Sequence, residues 1–377
     1  MWKPPVAQPW VIRETIRFNS AAYTFEPGDI EVTGSRISAI LPAGTSRLVE
    51  GVDGSSFVCT PGVVDVERPD GSPAERGLRA GGSPSYVTTV GFYCSNIESV
   101  TSHASFGPVR RVALLRFNGR YLEQVNAMLD WSAAAQRTAA DTCAARLTSL
   151  LPVIASGTLL SATEVVEFAR FAKTMGSRFG IELSSSADEA FEFRGRFYCS
   201  ESALIAYLMP QEPNITVFNA GRLDRRDVAA LLRTRSAVSI DFPRKHDVRG
   251  STWTCSLLFG NRQAAIRIRQ GDMRALLLDL LDGVATDTLN GFVSALTKSA
   301  AAALGLTDVG ALAPGMKADL CLFDRSDFDA SVNGSAAFLS MLAKNEPAYV
   351  MVDGQVVLRG THTDALDDIR LGAGEVV

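Results

Sequence analysis

Histidine is the scarcest useful residue in this chain. There are three in 377 residues, His103, His246 and His362, and no two lie close together. A zinc hydrolase needs about three protein ligands and an open position for water, so a histidine-built metal centre has little to draw on. Cysteine is also spare: Cys59, Cys94, Cys143, Cys199, Cys255 and Cys321 include no C-x-x-C pair. Such scatter suits reduced, mostly buried thiols better than a disulfide framework, with Cys94 and Cys255 the nearest to strand ends. Neither charge sign dominates. Lys and Arg total 37, Asp and Glu 41, and the net charge is −4, which gives no general attraction to nucleic acid or anionic lipid. No apolar run reaches the roughly 18 residues that cross a membrane. Met1-Trp2-Lys3-Pro4-Pro5 lacks an apolar signal core, so the expectation is a cytoplasmic protein. No G-x-G-x-x-G or G-K-[S/T] loop follows a strand, which leaves nucleotide folds without their phosphate cradle. No cofactor is expected.

The chain is 46% hydrophobic and long enough for a full core. Its first 60 residues read as strands and turns. Asp29-Ile30-Glu31-Val32 and Arg36-Ile37-Ser38-Ala39-Ile40 flank Gly34-Ser35, an alternating pattern around a residue free to take positive φ, hence a hairpin. From about 62 to 305, short apolar runs alternate with helical periods. Strand candidates are Tyr86–Val90, Val112–Leu115, Pro152–Ala155, Gly180–Leu183, Ile215–Phe218, Ala237–Ile240 and the run Leu257-Leu258-Phe259. Ser161-Ala162-Thr163-Glu164 has capping-box form ahead of an apolar stripe, and Asp224 caps a helix that turns Val228, Leu231 and Leu232 inward. Repeated βα units imply a parallel sheet covered by helices, and this many favour a closed barrel. After 305 the texture returns to β, with Asp353-Gly354 as a second hairpin turn. The reading is an α/β chain. Residues 61–309 form a TIM-type (β/α)8 barrel, complete or distorted, and residues 1–60 and 310–377 share a small β-sandwich.

Four segments, in order, resemble the amidohydrolase superfamily, in its cyclic amidohydrolase, chlorohydrolase and guanine-deaminase branch. They are the Gly28–Ile40 hairpin, Pro61-Gly62-Val63-Val64-Asp65-Val66, the helix at Ala302–Leu306, and Gly310–Leu320 with its Pro314-Gly315 turn, closed by Val352-Asp353-Gly354. The resemblance implies one or two divalent metals at the C-terminal ends of barrel strands, held by a His-x-His pair after the Pro-Gly-x-x-Asp-x segment. Here those three positions are Glu67-Arg68-Pro69. Ser184-Ser185-Ser186 and Asn219 stand where the resemblance implies further histidines. Gly260-Asn261 stands where it implies a metal-binding aspartate, and no lysine near Ile154–Gly157 offers a carbamylated bridge.

A barrel without metal keeps its cavity, and barrel enzymes work at the C-terminal face. The catalytic candidates at that face are Asp65, Glu67, Arg68, Asn219 and Asn261. Candidates for substrate binding are Asp70, Ser184, Ser185, Asp188, Asp241, Arg244 and His246. Glu67 beside Arg68 reads as a carboxylate base with a cationic anchor, or as a plain loop ion pair. Asp65 reads equally well as a group bonded to local backbone. The leading expectation is a metal-independent enzyme on an amidohydrolase-like scaffold. It would act on a small polar, nitrogen-containing molecule by hydrolysis, cyclisation or elimination. The alternative is a catalytically silent subunit or scaffold, as a homodimer or with a protein partner. A third reading keeps a metal on Glu67, Glu182 and Asp188, which as carboxylates suit Mg²⁺ or Mn²⁺.

Overall fold

The computed structural model describes residues 8–68, 86–94, 109–117, 147–155, 178–208, 214–220, 223–241, 257–268, 277–278, 281, 284–332 and 334–359, with Thr163, Glu167 and Arg170, these last three helical. Two sheets organise it. The first takes strands from both ends of the chain: β1 (Trp10–Asn19), β2 (Thr24–Thr33), β3 (Arg36–Leu41), β4 (Gly51–Asp53), β5 (Phe57–Pro61), β14 (Leu320–Asp324), β15 (Tyr349–Val352) and β16 (Gln355–Arg359). Its order is β16-β15-β14-β5-β1-β2-β3, with β4 paired to β1. Both expected hairpins are present. β2 and β3 turn at Gly34-Ser35, and β15 and β16 at Asp353-Gly354, where both turn residues have positive φ.

The second sheet is parallel and eight-stranded: β6 (Val63–Arg68), β7 (Val87–Cys94), β8 (Arg110–Phe117), β9 (Thr148–Ile154), β10 (Phe179–Glu182), β11 (Ile215–Phe218), β12 (Ala237–Asp241) and β13 (Ala264–Arg267), paired in that order. It curls into the expected TIM-type barrel. Every residue of β7 is buried, as it must be in a strand covered on both faces. Alternate side chains divide between two clusters. Val64, Val66, Tyr93, Val112, Leu114, Leu151, Val153, Phe218 and Ala265 fill the interior, whereas Ala113, Leu115, Phe117, Ile181 and Val217 face the surrounding helices. The interior is packed tightly enough to require glycine. A Cβ on Gly180 would sit 2.5 Å from the Phe218 ring, and one on Gly91 2.3 Å from the Val66 carbonyl.

Among the described residues the first and last barrel strands, β6 and β13, share no ladder. Side chains bridge them instead. Asp65 Oδ1 accepts from the Ile268 amide at 3.0 Å, and Arg267 reaches Glu67 at 2.7 Å.

The described helices are α1 (Ala187–Phe197), α2 (Glu201–Leu208), α3 (Arg225–Thr234), α4 (Thr286–Leu296), α5 (Lys298–Ala303) and α6 (Gly334–Lys344). None of them is long and apolar enough to cross a membrane. Asp224 caps α3 as expected, in a reciprocal box with Asp227, and Val228 and Leu231 are fully buried. Two expectations are corrected. Leu257-Leu258-Phe259 is helical, not a strand, and the eighth strand comes seven residues later at Ala264. A three-residue apolar run carries no period, so tertiary contact decides it; here Phe259 stacks on Phe292 of α4 at 4.0 Å. The region after 305 is not wholly β either, because α6 lies between β14 and β15. It buries Phe338 4.9 Å from Phe18, and its first residue is glycine because a Cβ there would meet the Tyr23 carbonyl at 2.2 Å.

The two sheets are riveted together by a buried ionic group. Arg110, which opens β8, donates Nε at 2.7 Å and NH2 at 3.0 Å to the Asp319 carboxylate. Its NH2 also reaches Asp353 at 3.1 Å, Asp319 accepts the Asp353 amide at 2.7 Å, and Lys317 Nζ reaches Asp353 at 2.9 Å. Backbone bonds complete the joint: Ile37 N to Met316 O, Gly315 N to Ile37 O, Gly62 N to Asp319 O and Gly354 N to Ala318 O. Three of the four resembling segments, with the closing Asp353-Gly354 turn, therefore meet at one place, between the sheets.

Candidate active site at the barrel mouth

The interior alternation of the strands carries polar residues into the C-terminal end of the barrel. After Val112 and Leu114 the next inward position on β8 is Arg116; on β7 it is Tyr93, on β10 Glu182, on β12 Ser239 and on β13 Arg267. β6 contributes Glu67, helped by a bulge between Asp65 and Arg68. Glu67 is 1% exposed and both of its oxygens are engaged. Oε1 accepts from Arg267 NH1 at 2.7 Å and from the Tyr93 hydroxyl at 3.0 Å, and Oε2 accepts from Ser239 Oγ at 2.8 Å. A second pair stands beside the first. Arg116 NH2 donates to Glu182 Oε1 at 2.7 Å, and its guanidinium lies 3.9 Å above the Tyr93 ring. Tyr93 thus joins the two pairs, by its hydroxyl to one and its face to the other.

The electrostatics follow from burial. Desolvation, with the charges of Glu67 and Glu182, lifts the Tyr93 phenol well above its ordinary value, so it stays a donor. Burial raises the Glu182 carboxyl above the ordinary carboxylate range; Arg116 opposes the shift and Glu67 adds to it. The least buried cation of the group is Arg116, whose side chain is 36% exposed, against 15% for Arg267.

The sequence candidates fall into three sets. Glu67 is central, but its described cation is Arg267; the side chains of Arg68 and Asp241 lie outside the described residues, although both residues close barrel strands. Asp70, Arg244 and His246 also lie outside them, as do His103 and His362. The rest are described. Asp65 does bond backbone, but at Ile268 N, 203 positions away across the barrel seam, and not the local backbone weighed for it. Asn219 has φ 56° and donates Nδ2 to the Leu183 carbonyl at 3.0 Å, tying the ends of β10 and β11. Asn261 is exposed and donates to Leu257 O at 2.8 Å, in the turn that replaces the expected strand. Ser185 bonds Glu189, and Asp188 is exposed in the first turn of α1. Ser184 and Asn219 do come together, lining a small open cleft between the ends of β10 and β11 and helices α1 to α3. Sequence reasoning missed Tyr93, Arg116, Ser239 and Arg267. The available signal was phase: Arg116 continues the inward alternation of Val112 and Leu114 just beyond where the apolar run stops.

The described residues at this rim do not form a ligand set for the divalent metal that the resemblance implies. The carboxylate in place of the first expected histidine has both oxygens filled by hydrogen-bond donors, one a permanent cation. Among the described residues no group of three or more His, Cys, Asp and Glu is placed to hold a metal, so Glu67, Glu182 and Asp188 do not converge as a ligand set.

Comparison with known proteins agrees with the architecture. The sequence pattern of the amidohydrolase family matches residues 260–357. No curated protein matches the chain. Among solved structures, atrazine chlorohydrolase from Arthrobacter aurescens, complexed with zinc, superposes with a TM-score of 0.66 at 14% identity, covering 93% of this chain and 95% of its own. Helicobacter pylori aminofutalosine deaminase gives 0.64 at 13% identity, covering 93% and 100%. An amidohydrolase from a Sargasso Sea environmental sample gives 0.63 at 17% identity, covering 93% of each chain. The resemblance to the amidohydrolase superfamily therefore holds, in fold along nearly the whole chain and in sequence pattern over residues 260–357.

Proposed function

We propose that this chain is a metal-independent enzyme on the amidohydrolase scaffold, acting at a C–N bond of a small polar, nitrogen-containing molecule. The observation that carries the reading is the Arg116–Glu182 pair: a carboxyl with raised proton affinity, hydrogen-bonded at 2.7 Å to the more exposed of the two described guanidiniums of the mouth. A perturbed carboxyl beside a fixed cation at the C-terminal end of a barrel is a proton-transfer group with an anchor. In a hydrolysis, water adds to the carbon, the C–N bond breaks, and the proton lost by water returns to the leaving nitrogen through Glu182. Arg116 steadies negative charge that develops on the oxygen. The test is turnover of a panel of cyclic amides, ureas and amidines by chelator-treated protein. Activity is expected to survive the chelator, and Glu182→Gln is expected to lower kcat about 100-fold or more. Because Glu182 must first accept the proton lost by water, its carboxylate form is the one required at the start, and the rate should fall as pH falls through the raised Glu182 value. Activity abolished by chelation and restored by zinc or manganese would overturn the reading.

One observation favours the silent-subunit alternative. Phe191, Tyr198 and Tyr207, on or next to α1 and α2, are 79%, 94% and 81% exposed. Under that reading the chain assembles through them, and Phe191→Ser with Tyr207→Ser converts a dimer to monomer in sedimentation. A chain that is monomeric before substitution removes the homodimer form of the alternative.

A further inference from the structure

Among the described residues the rim holds two ion pairs, Glu67 with Arg267 and Glu182 with Arg116, contributed by β6, β13, β10 and β8. Together the two guanidiniums carry the formal charge of one divalent ion. They stand where the resemblance implies such an ion, each 2.7 Å from a carboxylate. We propose that Arg116 and Arg267 are built-in electrostatic replacements for a divalent metal, with Arg267 the positioning residue that holds the buried Glu67 in place across the barrel seam. This deepens the enzymatic reading, since the same fixed charge would receive an anionic or carbonyl-bearing ligand, but it stands on geometry that does not depend on turnover.

The argument is one of compensation. Glu67 is 1% exposed, so water cannot offset its charge. Tyr93 and Ser239 supply neutral hydrogen bonds, and among the described residues only Arg267 supplies charge directly. A buried carboxylate stripped of its cation is strongly destabilising, whereas removing both partners together is far less so. The pair therefore leaves a signature that simple packing does not.

The experiment compares melting temperature and metal content, with no assay of activity. Wild-type protein is expected to carry no stoichiometric zinc, manganese or nickel after dialysis and to show no melting shift when those metals are added. Arg267→Met should lower the melting temperature by roughly 5–10 °C. The double variant Glu67→Gln/Arg267→Met should recover at least half of that loss, and methylguanidinium should raise the melting point of Arg267→Ala but not that of wild type. If Arg267→Met fails to fold, the double variant and Arg267→Lys, which keeps the charge, still report: both should fold. Additive losses in the double variant, no recovery with methylguanidinium, or a tightly held metal in wild type would each overturn the proposal. The first two leave the enzymatic reading standing, whereas the third removes its metal independence as well.

Discussion

Asp319→Ala should cost about 3–5 kcal/mol of stability, measured by denaturant or thermal unfolding. The side chain is 1% exposed, and it accepts two bonds from Arg110, itself 8% exposed, and one from the backbone of Asp353. Alanine strands the Arg110 guanidinium in a buried place with only the more exposed Asp353 for compensation, and it frees the Asp353 amide in a turn whose φ is already positive. Replacing both partners, as Arg110→Met with Asp319→Leu, should cost less than Asp319→Ala alone, because no buried charge is then left behind. Equal or additive losses would show that the pair is not the rivet between the two sheets.

A second large effect is expected at Asp29, which is fully buried and accepts from three backbone amides: Glu14 at 2.8 Å, Ser46 at 2.9 Å and Gly44 at 3.0 Å. These bonds pin the 42–46 turn against β1, at the point where Glu14 bulges with φ 53°. Asp29→Ala leaves all three amides without their acceptor and should destabilise the protein by about 2–4 kcal/mol. The pH dependence has a definite sign. Burial alone would raise the carboxyl, but the amides of Glu14, Ser46, Gly44 and Thr45 outweigh it and hold the value below the usual range. The folded state therefore binds this proton less readily than the unfolded state. The contribution is complete above the ordinary aspartate value and disappears as pH falls through the depressed one. Wild type should lose stability below about pH 4, and the Asp29→Asn variant should lose less over that interval. Parallel pH profiles for the two proteins would contradict this account.

The fold was legible in the sequence because its most constrained parts are local patterns. Gly34, Asp353 and Gly354 take positive φ at two hairpins, Asp319 has a buried partner in Arg110, and Lys317 a half-buried one in Asp353. These same residues carry the family resemblance, so the joint between the sheets is what the sequence announces. The rim is a different matter. Glu67 was visible as a charged residue in place of a histidine, but its partner Arg267 is 200 positions away, and no local pattern links them. The eighth strand was misplaced by one short apolar run, which put Asn261 at the rim and left Arg267 out. Tyr93 and Arg116 lay past the apolar stretches used to mark strands, in a parallel sheet whose strands run on to the barrel mouth. Burial there depends on closure of the barrel, which couples residues that sequence spacing keeps apart.

The absence of a ladder between β6 and β13 among the described residues has a consequence for how this protein can change. Most barrels separate their wall from their chemistry: backbone bonds hold the staves, and side chains at the rim vary freely. Here Glu67, bound to Arg267, is also a clasp across the seam between β6 and β13. A substitution that retuned reactivity at Glu67 would at the same time loosen the hoop, so the two properties share a single point of selection and neither can drift alone.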